Sequence, residues 1–249
     1  TTDRFTKTAA RATGLPGGPV VGGMAKGAGM IHPRMATTLG FLTTDAAVEP
    51  GLLSEILQAA VDDSFNRITV DGETSTNDAV FFLANGRAGG PPVSTDAAAG
   101  RLAEAATGVA RRLARMVVED GEGAERIARV LVTGASGDAA ARAVAERVAR
   151  SLLVKTALRG GDPNWGRIMA ALGSAGVELD PDRVEVSIGG VKVVRGGCGA
   201  DASRTAAREA MGADEVEIEV DLASGDGEHW IWTSDLGEEY VHENTRYTT

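Results

Sequence analysis

The sequence predicts an α+β protein in which layered sheets are flanked by helices. Apolar residues recur every three or four positions in some segments and alternate with polar residues in others, as in helices and strands respectively. These two kinds of segment interleave through both halves of the chain. Hydrophobic residues make up 43% of the 249 residues, which is enough to bury a full core.

The first half begins with a polar segment and continues into interleaved strands and helices. Pro50 stands near the start of an amphipathic helix whose apolar positions run to Phe65, and Ser94 or Thr95 has the cap chemistry of a helix start. The predicted elements are a strand in 20–29 that ends in a glycine-rich bend, a helix from Pro50, a polar loop over 71–78, a strand over 79–83 and a long helix to Asp120.

The second half repeats this pattern from Ala124. Gly189 and Gly190 separate two runs of alternating valines, which indicates a hairpin. The predicted elements are a strand over 128–132, a helix over 138–153, a hairpin over 184–193, a helix over 202–211 and a strand over 216–220 that leads to "HWIWTSDL". We expect a domain boundary within 120–125, between a nucleophile-bearing domain, 1–123, and a C-terminal α+β domain, 124–249.

Charge and composition exclude several classes of partner. The chain has 35 acidic and 25 basic residues, a net charge of −10, so it lacks the basic surface that nucleic acid requires. Its single cysteine, Cys198, excludes an internal disulfide. No apolar run is long enough to cross a bilayer, and we expect a cytoplasmic protein. The opening "TTDRFTKTAA" lacks a Met, which suggests part of a longer polypeptide.

The stretch "GMIHPRMATTLGFLTTDA" surrounds a short apolar run with threonines. Threonines are common in strands, but a threonine hydroxyl is also a nucleophile once a base removes its proton. None of the three histidines has the context of a catalytic triad, whereas Lys26 or an α-amine could act as the base. An α-amine titrates near ~8 but exists only at a chain start, so Thr37 would require cleavage of the Ala36–Thr37 bond.

Four long motifs resemble the ornithine acetyltransferase, or glutamate N-acetyltransferase, family. They are "GGMAKGAGMIHPRMATTLGFLTTDA", "TSTNDAVFFLANG", "LVKTALRGGDPNWGR" and "EEYVHENTRYTT". The resemblance implies an N-terminal-nucleophile acetyltransferase that cleaves itself before Thr37. It also implies acetyl transfer from N-acetylornithine to glutamate through acetyl-Thr37 without metal or cofactor, with acetyl-CoA an open second donor. The partners implied are these small molecules and, after cleavage, a heterotetramer of two α and two β chains.

The resemblance also assigns substrate-binding residues. Lys26 would bind the α-carboxylate shared by both substrates, and Glu122 would bind the ornithine side-chain ammonium. Thr1, with Thr2 as an open alternative, and the C-terminal Asn244 and Thr249 complete the set together with Thr37. Without the resemblance, these residues are typical of a solvated loop lysine, a helix-end charge, a turn and a frayed terminus.

Two further strings, "STND" and "DPNWGR", are specific to the family, and we expect Asn77, Asp78, Asn164 and Trp165 to build turns and support the core. The glycines from Gly22 to Gly29 should let the backbone bend near the cleavage point. The matching region is the C-terminal three fifths of a family member and lacks the Thr-Gly pair of its oxyanion hole. The alternatives are therefore an N-terminal-nucleophile amidase or aminopeptidase, or an inactive fragment.

Overall fold

A computed structural model describes residues 2–32, 38–75, 77–200 and 204–246. The chain divides into two compact units, Thr1–Gly121 and Glu122–Thr249. Each unit contains a sheet and helices, so the predicted α+β class with layered sheets flanked by helices is confirmed. No helix within the described ranges combines the length and apolar character needed to span a bilayer.

The first unit packs helices against one face of a mixed sheet. Its elements are β1 (Lys7–Ala12), β2 (Val20–Lys26), β3 (Leu39–Thr44), α1 (Pro50–Asp62), β4 (Ile68–Thr69), β5 (Ala79–Ala84) and α2 (Asp96–Glu119). The sheet order is β1-β2-β3-β5, with β3 and β5 parallel. Pro50 lies in the first turn of α1, and the Thr95 hydroxyl accepts a hydrogen bond from the Ala98 N–H (3.3 Å), as expected of a helix cap.

The two faces of this sheet have different surroundings. Val21 and Leu42 are fully buried on the face that packs on α2. A Cβ at Gly23 would lie 3.0 Å from Leu113 Cδ1, so this glycine allows close packing instead of the predicted backbone bend. The opposite face carries Met24, Phe41 and Phe81 in one cross-strand row, and the two phenylalanine rings stack with centroids 5.3 Å apart.

The second unit has its own sheet and core. Its elements are β6 (Ile127–Ala135), α3 (Asp138–Ala149), α4 (Leu152–Arg159), α5 (Trp165–Gly173), β7 (Glu185–Ile188), β8 (Val191–Arg195), β9 (Cys198–Gly199), α6 (Arg204–Ala210), β10 (Glu215–Asp221), β11 (Gly227–Ser234) and α7 (Glu238–Arg246). The strands lie in the order β11-β6-β10-β7-β8-β9. Buried side chains of β6, such as Val130, pack with those of α3, such as Val144, in one apolar core.

Two sequence predictions in this unit have different outcomes. The hairpin is confirmed, because Gly189 and Gly190 have φ values of 53° and 77° in the turn between β7 and β8. The single helix over 138–153 is wrong: α3 ends at Ala149 and α4 begins at Leu152. Ser151 caps α4, since its hydroxyl accepts a hydrogen bond from the Val154 N–H (3.4 Å).

Candidate active site

The described residues include half of the predicted site. Thr1, Thr37 and Thr249 lie outside the described ranges. Lys26 belongs to the first unit, and Glu122 and Asn244 belong to the second.

Lys26 ends β2 on the sheet face that α2 does not cover. In the register of the antiparallel pair it lies opposite Leu39, two residues after Thr37 in the chain. Its side chain is exposed, and within the described ranges it forms no ion pair. An exposed point cation on a strand end can bind a carboxylate from solvent.

Asp78 lies next to the segment that follows the predicted nucleophile. It directly precedes β5, and one of its carboxylate oxygens accepts a hydrogen bond from the backbone N–H of Thr38. The Ala79 N–H donates to the Thr38 carbonyl (3.2 Å), so both backbone groups of Thr38 are bound at the start of β5. The sequence assigned Asp78 to a turn and to support of the core; its place in "STND", directly before a strand, was the available signal for the contact with Thr38.

The second oxygen of Asp78 has an unusual environment. Oδ2 is buried and, among the described residues, no donor contacts it. Burial raises the pKa of Asp78 to about 6, although the Thr38 N–H and the positive charge of Lys26 both favour the ionised form. Asp78 therefore changes its protonation state near pH 6, and one of its acceptor oxygens is unused within the described ranges.

Two other carboxylates hold the loop between β2 and residue 32. Asp71 accepts backbone N–H bonds from Met30 (2.6 Å) and Ile31 (3.1 Å), and burial raises its pKa despite these bonds. Asp3 accepts a hydrogen bond from the N–H of Gly27 (2.8 Å), the residue after Lys26. The loop that leads toward the predicted cleavage point is thus fixed at both ends by side chains.

The Asp3 carboxylate belongs to a buried ionic cluster. The ammonium of Lys7 is buried and pairs with both Asp3 (2.6 Å) and Asp120, and Arg4 Nε donates to Asp120 (3.1 Å). A buried cation needs such partners, because an unpaired one would lose its hydration without compensation. This cluster connects the start of the first unit to the end of α2.

In the second unit, two predicted site residues meet although 122 positions separate them in the chain. Asn244 of α7 donates from Nδ2 to Oε2 of Glu122 (2.8 Å) and to the Tyr240 carbonyl (3.0 Å). Glu122 is half-buried, and Asn244 is exposed. The amide of Asn244 thus fixes the position of one oxygen of the Glu122 carboxylate.

Gly123 sets the approach of α7 to the Glu122 loop. Its φ is 68°, and a Cβ there would lie 2.5 Å from the Tyr240 backbone nitrogen. Only glycine fits both the left-handed backbone and this close contact. Gly123 therefore allows the helix that carries Asn244 to lie beside Glu122.

Residues 162–166, which form most of "DPNWGR", line one side of a cavity of about 460 Å³ within the second unit. Its other side is lined by Val193, Ala200, Arg204 and Ala207. Asn164 has the predicted turn role: its side chain accepts a hydrogen bond from the Arg167 N–H (3.2 Å) and so caps α5. Trp165 is 37% exposed and lines the cavity, so its predicted role in supporting the core stays a prediction. Among the described residues, no group of His, Cys, Asp and Glu is placed to hold a metal ion.

Comparisons with known proteins agree with the sequence motifs. The ArgJ family model matches residues 1–249. The arginine biosynthesis bifunctional protein ArgJ of Thermosynechococcus vestitus is 48% identical over 245 residues, which cover 92% of this chain and 58% of that protein. The protein of the same name from Syntrophotalea carbinolica is 47% identical over 251 residues, which cover 100% of this chain and 64% of that protein.

A solved structure resembles the fold as well. The crystal structure of the arginine biosynthesis bifunctional protein ArgJ from Bacillus halodurans matches with a TM-score of 0.79 at 38% identity, over 83% of this chain and 98% of that one. The present chain spans about three fifths of the length of the curated relatives it matches.

Proposed function

Since the chain belongs to the ArgJ family, we propose that it is part of an acetyltransferase that moves the acetyl group of N-acetylornithine to glutamate through acetyl-Thr37. The family match over residues 1–249 is the observation that carries this proposal. The contact between Glu122 and Asn244 supports it, because it prepares a carboxylate for the ammonium that distinguishes ornithine from glutamate.

The proposed reaction begins with self-cleavage before Thr37, which creates its free α-amine. This amine takes the proton of the Thr37 hydroxyl, and the oxygen attacks the acetyl carbon of N-acetylornithine. The acetyl C–N bond breaks, the amine returns the proton to the leaving nitrogen, and ornithine departs. Glutamate then attacks the acetyl ester in the reverse sequence and leaves as N-acetylglutamate.

The described residues take binding roles in this scheme. Lys26 holds the α-carboxylate common to both substrates, and Glu122, oriented by Asn244, holds the ornithine ammonium. Thr1 and Thr249 are proposed to complete the substrate contacts. The cleaved protein is proposed to assemble as two α and two β chains.

The test uses the longest reading frame that contains this sequence, because the relatives are longer. Intact mass of the purified protein should show two chains separated at Ala36–Thr37, and ornithine release beyond one equivalent per Thr37 should require glutamate. Thr37→Ala should stay uncut and inactive, whereas Thr43→Ala, a matched change at an exposed threonine of β3, should be cut and active. Continued ornithine release over many turnovers without glutamate would indicate an amidase instead. A fully active single chain would exclude the α-amine as the base.

A further inference from the structure

We propose that Asp235 is a positioning residue for recognition of the ornithine ammonium: its buried carboxylate fixes the loop that carries Glu122 against the segment that leads to Asn244. This inference rests on the proposed function, since it takes Glu122 as the group that binds the ammonium. It deepens that function by naming a residue that acts on one of the two substrates through Glu122.

Asp235 joins two segments of the second unit at the point where β6 begins and β11 ends. The residue is only 2% exposed. Its Oδ1 accepts hydrogen bonds from the backbone N–H groups of Glu125 (2.9 Å) and Arg126 (3.2 Å), and its own N–H donates to the Arg126 carbonyl (2.9 Å). These three bonds tie the loop over 122–126 to the residue that follows β11.

From this point the two segments meet at two further levels. The loop next reaches Gly123, where a Cβ would lie 2.5 Å from the Tyr240 backbone nitrogen. It then reaches Glu122, which accepts the hydrogen bond from Nδ2 of Asn244 (2.8 Å). Asp235 supplies the first of the three contacts, so a shift of the loop at this carboxylate changes how Glu122 meets Asn244 at the other end.

Arg159 stabilises the buried carboxylate. Its Nη1 donates to Oδ2 of Asp235 (3.2 Å), and its Nη2 pairs with Glu125 of the loop (2.6 Å). A Cβ at Gly237, the residue before α7, would lie 2.9 Å from Cζ of Arg159, so the guanidinium also packs against the segment that leads to α7. A buried carboxylate needs such a partner, and hydrogen bonds to charged groups are stronger than neutral ones.

The position of Glu122 matters because the proposed contact joins two charges. Groups that recognise a ligand must be held within about 0.5 Å of the productive geometry by the residues that support them. N-acetylornithine is the donor whose side chain would carry the ammonium for Glu122, whereas glutamate has no such group. Displacement of the loop should therefore weaken binding of N-acetylornithine and spare glutamate.

The decisive variant is Asp235→Ala, made in the longest reading frame, which removes the acceptor for both N–H groups. Self-cleavage should persist, because the change lies in the second unit and the cleavage point in the first. KM for N-acetylornithine should rise roughly tenfold, while KM for glutamate and kcat change less than about twofold. Asp235→Asn keeps an acceptor oxygen for the two N–H groups, so it should raise KM for N-acetylornithine less than about threefold.

A double-mutant cycle shows whether Asp235 acts through Glu122. In the Glu122→Gln background the charge to be positioned is absent, so Asp235→Ala should raise KM for N-acetylornithine by less than a further factor of about two. A role confined to folding would add the same factor in both backgrounds. If Asp235→Ala yields no folded protein, the cycle is run with Asp235→Asn, whose smaller rise should likewise disappear.

Thr233→Val is the matched control for a loss of stability. Thr233 is a buried polar residue two positions earlier, in β11, and its hydroxyl donates to the Ala149 carbonyl (2.9 Å) instead of bonding to the loop. The substitution should lower the Tm and leave KM for both substrates unchanged.

Three outcomes would overturn the assignment: equal changes of the two KM values in Asp235→Ala, the same factor in the Glu122→Gln background, or a selective rise in Thr233→Val. Failure of the proposed function is distinct from all three, because the unmodified protein would then itself lack glutamate-dependent transfer.

Discussion

The hydrogen bond from Asn244 to Glu122 orients the carboxylate that we propose to bind the ornithine ammonium. Glu122→Gln keeps an oxygen for the Asn244 amide but removes the charge that would pair with the ornithine ammonium. Losing such a charged partner costs about 1.5–3 kcal/mol, so KM for N-acetylornithine should rise about ten- to a hundredfold while KM for glutamate changes little. Steady-state kinetics with each substrate varied in turn measure this.

Two further variants provide a control and a comparison for the Glu122→Gln experiment. Glu125→Gln is the matched control, because Glu125 lies three residues away and already pairs with Arg159 (2.6 Å). It should leave both KM values unchanged. Lys26→Ala should raise both, since the α-carboxylate is common to the two substrates. Equal effects of Glu122→Gln on both substrates would remove the assignment of Glu122.

At the scale of elements, the position of α7 depends on one glycine. Gly123→Ala would force a left-handed alanine, at about 1–2 kcal/mol, and would also place a Cβ 2.5 Å from the Tyr240 nitrogen. We expect the α7 start to shift, with a loss of unfolding free energy greater than the backbone cost and a fall in kcat/KM for N-acetylornithine.

Gly176→Ala separates the effect of the left-handed backbone from the effect of the contact with Tyr240. Gly176 has a φ of 71° but open space around its Cβ position, so the substitution imposes similar backbone strain without the contact. It should lower the unfolding free energy by the backbone cost alone and leave kcat/KM unaffected. If both alanine variants had the same activity and stability, the contact with α7 would be irrelevant. Urea unfolding and the acetyl-transfer assay provide the two measurements.

Strand β1 shows that the period of apolar residues is not always sufficient to predict a strand. Strand β1 contains Lys7, whose side chain points inward and is buried, so its pattern does not resemble a half-buried strand. The inward lysine is stable because Asp120, 113 positions away, neutralises it. The break between α3 and α4 did have a local signal, since Ser151 is a good cap residue in the middle of an apolar pattern.

At the scale of the whole chain, the net charge of −10 on these 249 residues predicts a salt effect that differs between the two proposed substrates. Glutamate carries a net negative charge, whereas N-acetylornithine is neutral overall, so the field of the protein repels only glutamate. Raising the ionic strength from about 20 to about 200 mM screens this field. KM for glutamate should then fall relative to KM for N-acetylornithine by up to about twofold.

The ratio of the two KM values is the useful measurement, because screening of the contact to Lys26 that we propose for both substrates cancels in it. Sucrose at matched osmolality serves as the control and should leave the ratio constant. A ratio that stays constant in salt, or that moves toward weaker glutamate binding, would show that local charges outweigh the overall field.

The sequence alone determined the fold class, most elements of both sheets and the family. These depend on patterns within short segments: the period of apolar residues, cap residues such as Thr95, the Gly189-Gly190 turn and long motifs. The tertiary structure decided the pairing of Lys7 with Asp120, the contact of Asp78 with Thr38 and the pairing of Glu122 with Asn244. Each joins residues 40 or more positions apart, and only the packing of the fold determines which distant polar groups come within hydrogen-bond distance.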